Sequence, residues 1–128
     1  KGVQGSFTSL KQEWVLVPSS RFKELDSTAY SEFTAFKEDI STVLPDNTYI
    51  TGKAKFESKK LKKLNLTITA HGKTAGEVLA VIEDVRDQMS TFESKKCDYL
   101  ITILNDDTVY ALIERESGSS ECNVISKV

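Results

Sequence analysis

A chain of 128 residues, 39% hydrophobic and 28% charged, has the makeup of one ordinary globular domain, long enough to bury a core without metal or disulfide staples. Its longest apolar run, Tyr99-Leu100-Ile101-Thr102-Ile103-Leu104, is of strand length and far short of the roughly 18 residues a membrane-spanning helix requires. A net charge of −2 argues against a generally basic, nucleic-acid-coating chain, but the charge is unevenly spread: residues 1–72 carry eleven Lys/Arg against eight Asp/Glu, and residues 73–128 carry six against eleven.

The chain begins at Lys1 and not at Met, which points to a processed or trimmed polypeptide with room for an upstream signal or lipid anchor. Residues 1–12 read as a flexible N-terminal arm. Glu13–Val17 then reads as a short strand stopped by Pro18. From Thr28 to Leu44, the residues Ala29, Phe33, Phe36, Ile40, Val43 and Leu44 recur at three- and four-residue steps, which places them on one face of a helix. Asp26 or Ser27 can accept the free amide hydrogens at its start, and Pro45 ends it.

Strict alternation follows in two segments. In Thr48–Glu57, Ile50, Ala54 and Phe56 point one way while Tyr49, Thr51, Lys53 and Lys55 point the other; in Lys63–His71 the inward set is Leu64, Leu66, Ile68 and Ala70. Such period-two patterning is that of a hairpin with one face buried and one face wet. Matching the buried faces predicts pairing near Phe56–Leu64, Ala54–Leu66 and Ile50–Ala70, with Tyr49 beside His71 and Lys53 beside Thr67.

A second helix is expected over Ala75–Phe92, started by a Thr74/Glu77 capping box and buried along Val78, Leu79, Ile82, Val85, Met89 and Phe92. A second hairpin, Asp98–Leu104 and Thr108–Arg115, turns at Asn105-Asp106-Asp107. Its strands are apolar on both faces, which places them towards the sheet centre or under the N-terminal arm. Ser117-Gly118-Ser119-Ser120 turns into a last strand, Glu121–Ser126. The predicted fold is a single α+β domain over residues 1–128: an antiparallel sheet with two helices packed on one face, in the order β-α-β-β-α-β-β(-β). A helix-plus-hairpin unit is used twice.

The strongest local feature is the lysine cluster Lys53, Lys55, Lys59, Lys60, Lys62 and Lys63 around the first hairpin tip. With Tyr49 and His71 on the same wet face, these residues form the candidate binding site. Lysines so placed neutralise phosphates and displace counterions, but Tyr49 is the only stacking aromatic and no arginine joins them. The competing reading is that they solubilise the hairpin and discourage edge pairing.

Catalytic and metal motifs are missing. His71 is the only histidine and has no orienting carboxylate in its sequence neighbourhood that is not already used in the helix cap. The sequence holds neither a phosphate loop nor a GxSxG elbow, and Asp106-Asp107 lacks the alternating oxygen ligands of a calcium loop. No catalytic residue, metal ligand or cofactor is therefore assigned.

Cys97 and Cys122 form a disulfide only if the last segment crosses to pair beside the Cys97 strand. A simple meander holds them roughly 9.5 Å apart, against the roughly 4.4–6.8 Å that a bridge tolerates. The reading that fits best is a non-catalytic binding or assembly module, the exported soluble part of a bacterial envelope protein or lipoprotein, with an extracytoplasmic location and a protein or an anionic surface as partner. The alternative is a polyanion binder using the lysine hairpin; the third is a small-ligand-binding protein or enzyme.

Overall fold

Six strands hydrogen-bond side by side in chain order, β1 to β6, and the helices cover one face of the sheet they form. The computed structural model describes residues 12–44, 49–92, 97–119 and 121–126. The elements are β1 (Gln12–Val17), α1 (Ser20–Leu25), α2 (Ser27–Val43), β2 (Tyr49–Glu57), β3 (Lys60–Ala70), α3 (Ala75–Gln88), β4 (Asp98–Asn105), β5 (Thr108–Arg115) and β6 (Asn123–Ser126). The α+β architecture with helices on one face is the expected one. The putting of a flexible arm at residues 1–12 falls outside the described residues up to residue 11, and Gln12 is already the first residue of β1.

Four of the five strand pairs are antiparallel; the central pair, β3–β4, is parallel. The reason is the connection. A hairpin reverses the chain, whereas α3 carries it back along the sheet so that β4 starts in the direction in which β3 started. The two hairpins β2–β3 and β4–β5 thus stand side by side across this parallel seam.

Local chemistry explains the helices. Asp26 caps α2 by accepting from the Ala29 amide at 2.9 Å, and Thr74 and Glu77 form the reciprocal capping box of α3. α2 buries Ala29, Phe33, Phe36 and Ile40, with Leu44 just beyond. α3 buries Val78, Val81, Ile82 and Val85, so Val81 takes the place expected for Leu79, which is 40% exposed. The expected second helix stops at Gln88; Met89–Thr91 is a 3-10 turn, and Phe92 is buried beyond it. Sequence reading misses α1, a six-residue helix capped by Ser19 with only Phe22 buried. Arg21 on α1 and Glu13 on β1 lash the two together through paired 2.8 and 2.9 Å bonds.

The inward sets of β2 and β3 are as expected, but their register is not. Ile50 opposes Ile68, Ala54 opposes Leu64 and Phe56 opposes Leu61, a two-residue slip from the predicted pairing before the bulge and a larger one after it. The cause is the turn. Ser58 and Lys59, both in the left-handed region at φ 52° and 66°, close the hairpin in two residues, and a bulge between Lys55 and Phe56 takes up the odd residue. Tyr49 consequently pairs with Thr69 and not with His71, and Lys53 with Asn65 and not with Thr67.

Phe22, Phe33, Phe36, Phe56 and Phe92 fill the space between helices and sheet. Phe92 bridges the layers, its ring 5.2 Å from Phe36 and 5.1 Å from Tyr99. Arg115, buried at the end of β5, stacks 4.4 Å over the Tyr99 ring and donates to the carbonyls of Met89 and Phe92. A cation there completes the acceptors left at the end of the helical segment.

Candidate functional site

Among the described residues, no helix or loop covers the second face of the sheet. Because side chains alternate along a strand, every second residue of every strand points to that face. The pairing register aligns them in cross-strand rows. One row runs Leu16, Lys53, Asn65, Leu100, Glu114, Asn123; the next runs Thr51, Thr67, Thr102, Leu112, Ile125. On the other side of the first row lie Trp14, Lys55, Lys63 and Asp98.

Two properties of this face matter. Its most exposed apolar side chains stand on the two edge strands: Trp14 and Leu16 on β1, 50% and 66% exposed, and Ile125 on β6, 57% exposed. Its charge is unevenly divided, with Lys53, Lys55 and Lys63 on β2 and β3, the Lys55 charge met by Glu57 at the end of β2, and with Asp98 and Glu114 on β4 and β5. A cleft of about 640 Å³ opens on the face between Trp14, Lys63, Asn65, Asp98, Leu100 and Glu114. A second, of about 440 Å³, lies beside Leu16, Pro18, Lys53 and Thr67.

The structure divides the residues expected to form one binding site. Lys53, Lys55 and Lys63 lie on the open face, Lys55 in a 3.3 Å ion pair with Glu57. Lys59, Lys60 and Lys62 are exposed at the hairpin tip next to them. Tyr49, at the start of β2, and His71, past the end of β3, belong to the opposite end of the hairpin. Eight residues of strand, roughly 26 Å, separate Lys63 from His71.

His71 sits in a loop clasp. Its Nδ1 lies 3.4 Å from Asp106 Oδ1, and the other Asp106 oxygen accepts from the Gly72 amide at 3.3 Å. Asn105 accepts from the Lys73 amide at 3.1 Å and donates to the Lys73 carbonyl at 2.8 Å. This is the carboxylate partner that sequence proximity could not supply. All of it ties the β4–β5 turn to the entry of α3, at a site where His71 and Asp106 are both well exposed.

The two cysteines are free thiols. β4, β5 and β6 form the antiparallel meander, so β5 runs between the strands that Cys97 and Cys122 precede. Cys97 is buried, and burial together with the nearby Asp98 carboxylate pushes its thiol up to about 12. Among the described residues no group of three or more His, Cys, Asp or Glu side chains is placed to hold a metal ion. No described helix is long and apolar enough to cross a membrane.

What sequence reading missed is the apolar content of the open face. Trp14 and Leu16 alternate with Val15 and Val17 in β1, so a strand apolar on both sides was visible, but which side met solvent was not.

The profile of the CamS sex pheromone cAM373 precursor family matches residues 1–121. The chain belongs to the CamS family. The sheet and helices superpose on solved structures of sex pheromone precursors. That of the staph-cAM373 precursor gives a TM-score of 0.80 at 17% identity, over 91% of this chain and 41% of that one. A sex pheromone precursor from Lactobacillus salivarius subsp. salivarius UCC118 gives 0.83 at 17% identity, over 93% and 35%. The C-terminal domain of the staph-cAM373 precursor from Staphylococcus aureus gives 0.79 at 22% identity, over 93% and 35%. At these identities the likeness is one of fold, and the CamS-family chain described here spans 35–41% of the length of those proteins. No curated protein is significantly similar to it in sequence.

Proposed function

We propose that this CamS-family domain is a non-catalytic recognition and assembly module, acting outside the cytoplasm, that meets its partner through the open face of the sheet. The observation that carries the reading is the contrast between the two faces. One is sealed by helices; the other displays Trp14, Leu16 and Ile125 with two clefts between charged rows. Exposed apolar side chains on both edges of a charged, cleft-bearing face give a partner both apolar area and charge to meet. The family's description as a pheromone precursor supports the location, since a pheromone acts outside the cell that makes it.

The test is site-directed photo-cross-linking in the cells that produce the protein. Benzoylphenylalanine is placed at Leu16 or Leu112 on the open face, or at Glu38 on the exposed side of α2. The expected result is discrete cross-linked products from the first two positions and none from the third. Products confined to Glu38 would overturn the assignment of the face.

A second reading draws on the lysines. Lys59, Lys60 and Lys62 at the tip stand beside Lys53 and Lys63, an arrangement able to contact a polyanion. It requires heparin or an oligonucleotide to bind at low salt, to be released steeply as salt rises, and to be lost on replacing Lys59, Lys60, Lys62 and Lys63 with Ser. Absence of binding at low salt ends that reading.

A further inference from the structure

We infer that the open face of the sheet pairs with the open face of a second copy of this chain, about a two-fold axis that runs parallel to the strands between β3 and β4. The inference rests on the open face being the recognition surface and adds what that surface recognises.

The argument begins from the rows. The six strands divide evenly about the β3–β4 seam, with β1, β2 and β3 on one side and β4, β5 and β6 on the other. On the open face Lys53, Lys55 and Lys63 occupy the first half, where Glu57 pairs with Lys55 and leaves Lys53 and Lys63 as the lysines that face the acids, and Asp98 and Glu114 occupy the second. Rotation about an axis along the seam lays β3 over the partner's β4, β2 over its β5 and β1 over its β6. It keeps each row over itself.

In the row Leu16, Lys53, Asn65, Leu100, Glu114, Asn123, this brings Lys53 over Glu114 of the other copy, twice by symmetry. In the adjoining row it brings Lys63 over the other copy's Asp98. At the edges the same rotation lays β1 over the other copy's β6, with Leu16 over Asn123 in its own row and Ile125 one row along from it. A two-fold axis at right angles, along the rows, would instead stack lysine on lysine and acid on acid. The charge pattern therefore selects one axis. A self-complementary patch of this kind is what a closed two-fold dimer requires, and face-to-face sheets are a standard packing.

A polyanion would be attracted by one half of the face and repelled by the other, so the divided charge favours a partner with divided charge. Size sets the strength. Six strands at their usual spacing give a face roughly 25 Å by 20 Å, on the order of 500 Å² per copy. Both copies together come to on the order of 1,000 Å², at the low end of specific interfaces. The dimer is accordingly a weak one, with a dissociation constant in the micromolar range, and its electrostatic part weakens with salt.

The experiment is sedimentation velocity from about 10 µM to about 1 mM at low salt, on the wild type, Lys53→Glu, Glu114→Lys, and an equimolar mixture of the two variants. Both substitutions are on the open face, and matched thermal unfolding of each variant checks its fold. The wild type is expected to dimerise reversibly. Each variant alone faces like charges at both symmetric positions and is expected to associate at least about tenfold more weakly. In the mixture both positions are opposite in charge, so association is expected to return to within a few-fold of wild type. Lys53→Gln and Glu114→Gln, which remove attraction without adding repulsion, serve if a reversal fails to fold, with a smaller weakening expected.

A wild type that stays monomeric throughout overturns the inference, as does a dimer that neither reversal weakens or that mixing fails to restore. A monomeric result leaves the open face to a partner of different sequence, which the cross-linking positions test separately.

Discussion

Asp39 on α2 and Asp84 on α3 face one another in the helix layer, and Oδ2 of each is shut off from water, with no hydrogen bond while both carboxylates are ionised. Two carboxylates so placed cannot both stay ionised without cost; one proton shared between them relieves it. Burial first, then the hydrogen bond and charge of Asp39 and the charge of Asp87, raise Asp84 from 3.8 to about 6.

That relationship gives a pH dependence of definite sign. The folded value lies above the ordinary one, so the contribution of Asp84 to stability is favourable below about pH 4 and is lost as pH rises through about 6. Asp84→Asn keeps the hydrogen-bonding shape without the charge. It is expected to stabilise the fold at pH 7.5 by about 1 kcal/mol, a value discounted for the solvent around a half-buried carboxyl. The gain should shrink towards zero near pH 4. Urea unfolding at the two pH values measures it; an equal gain at both would show that the charge is not the cause.

Gly52 makes the opposite kind of demand. A Cβ there would lie 2.0 Å from the Asn65 carbonyl oxygen and 2.9 Å from the Leu66 Cα, both backbone atoms that cannot step aside. Gly52→Ala is expected to destabilise by about 2–4 kcal/mol. Gly76, in the first turn of α3 with nothing within 4 Å of an added Cβ, provides the control. Gly76→Ala is expected to be neutral or stabilising by up to about 1 kcal/mol. Thermal unfolding of the pair checks both.

Much of this fold was legible because several signals agreed in the same residues. Asp26 and the Thr74/Glu77 box fix where helices begin, and Leu64, Leu66, Ile68 and Ala70 show which side of β3 is buried. The register of β2 on β3 was not legible for a physical reason. Alternation repeats every two residues, so a two-residue slip preserves every inward and outward assignment, and only the turn breaks the tie. Here the turn is Ser58-Lys59, without the Asn-Gly or Asp-Gly signature that marks tight hairpins.

Leu79 was misplaced because it adjoins Val78 on the helix, and the stripe could equally include Val81 on the other flank. The parallel seam between β3 and β4 has no mark in either strand; it follows from α3. Of the candidate site, the lysines were legible as a cluster. Their division from His71 depends on the length of β3, and their alignment with Asp98 and Glu114 depends on the order of strands.

The cysteines give a chemical check on the meander. Buried Cys97, its thiol pushed up to about 12, holds almost no thiolate at pH 8, whereas Cys122 is half-buried. Alkylation of the folded protein is expected to label Cys122 and spare Cys97, with two labels per chain after unfolding without reductant. A mass two hydrogens light with no label would mean an internal disulfide and a different placement of β6.

Arg115 is expected to tolerate little. Its guanidinium donates to two separate carbonyls while lying on the Tyr99 ring, and a lysine cannot reproduce that planar fork. Arg115→Lys should cost about 1–3 kcal/mol in urea unfolding and Arg115→Ala about 3–5 kcal/mol. A Lys variant as stable as wild type would show that the positive charge alone holds the end of the α3 segment.

Trp14 is the only tryptophan in the chain and stands on the open face, so its fluorescence reports directly on whether that face is bare. Acrylamide quenching should be measured on the isolated protein at about 1 µM and again at about 500 µM, either side of the expected dimer affinity. The account predicts ready quenching in the dilute sample and clear protection in the concentrated one. Protection already present at high dilution, or quenching that does not change with concentration, would contradict an open face that closes on a second copy.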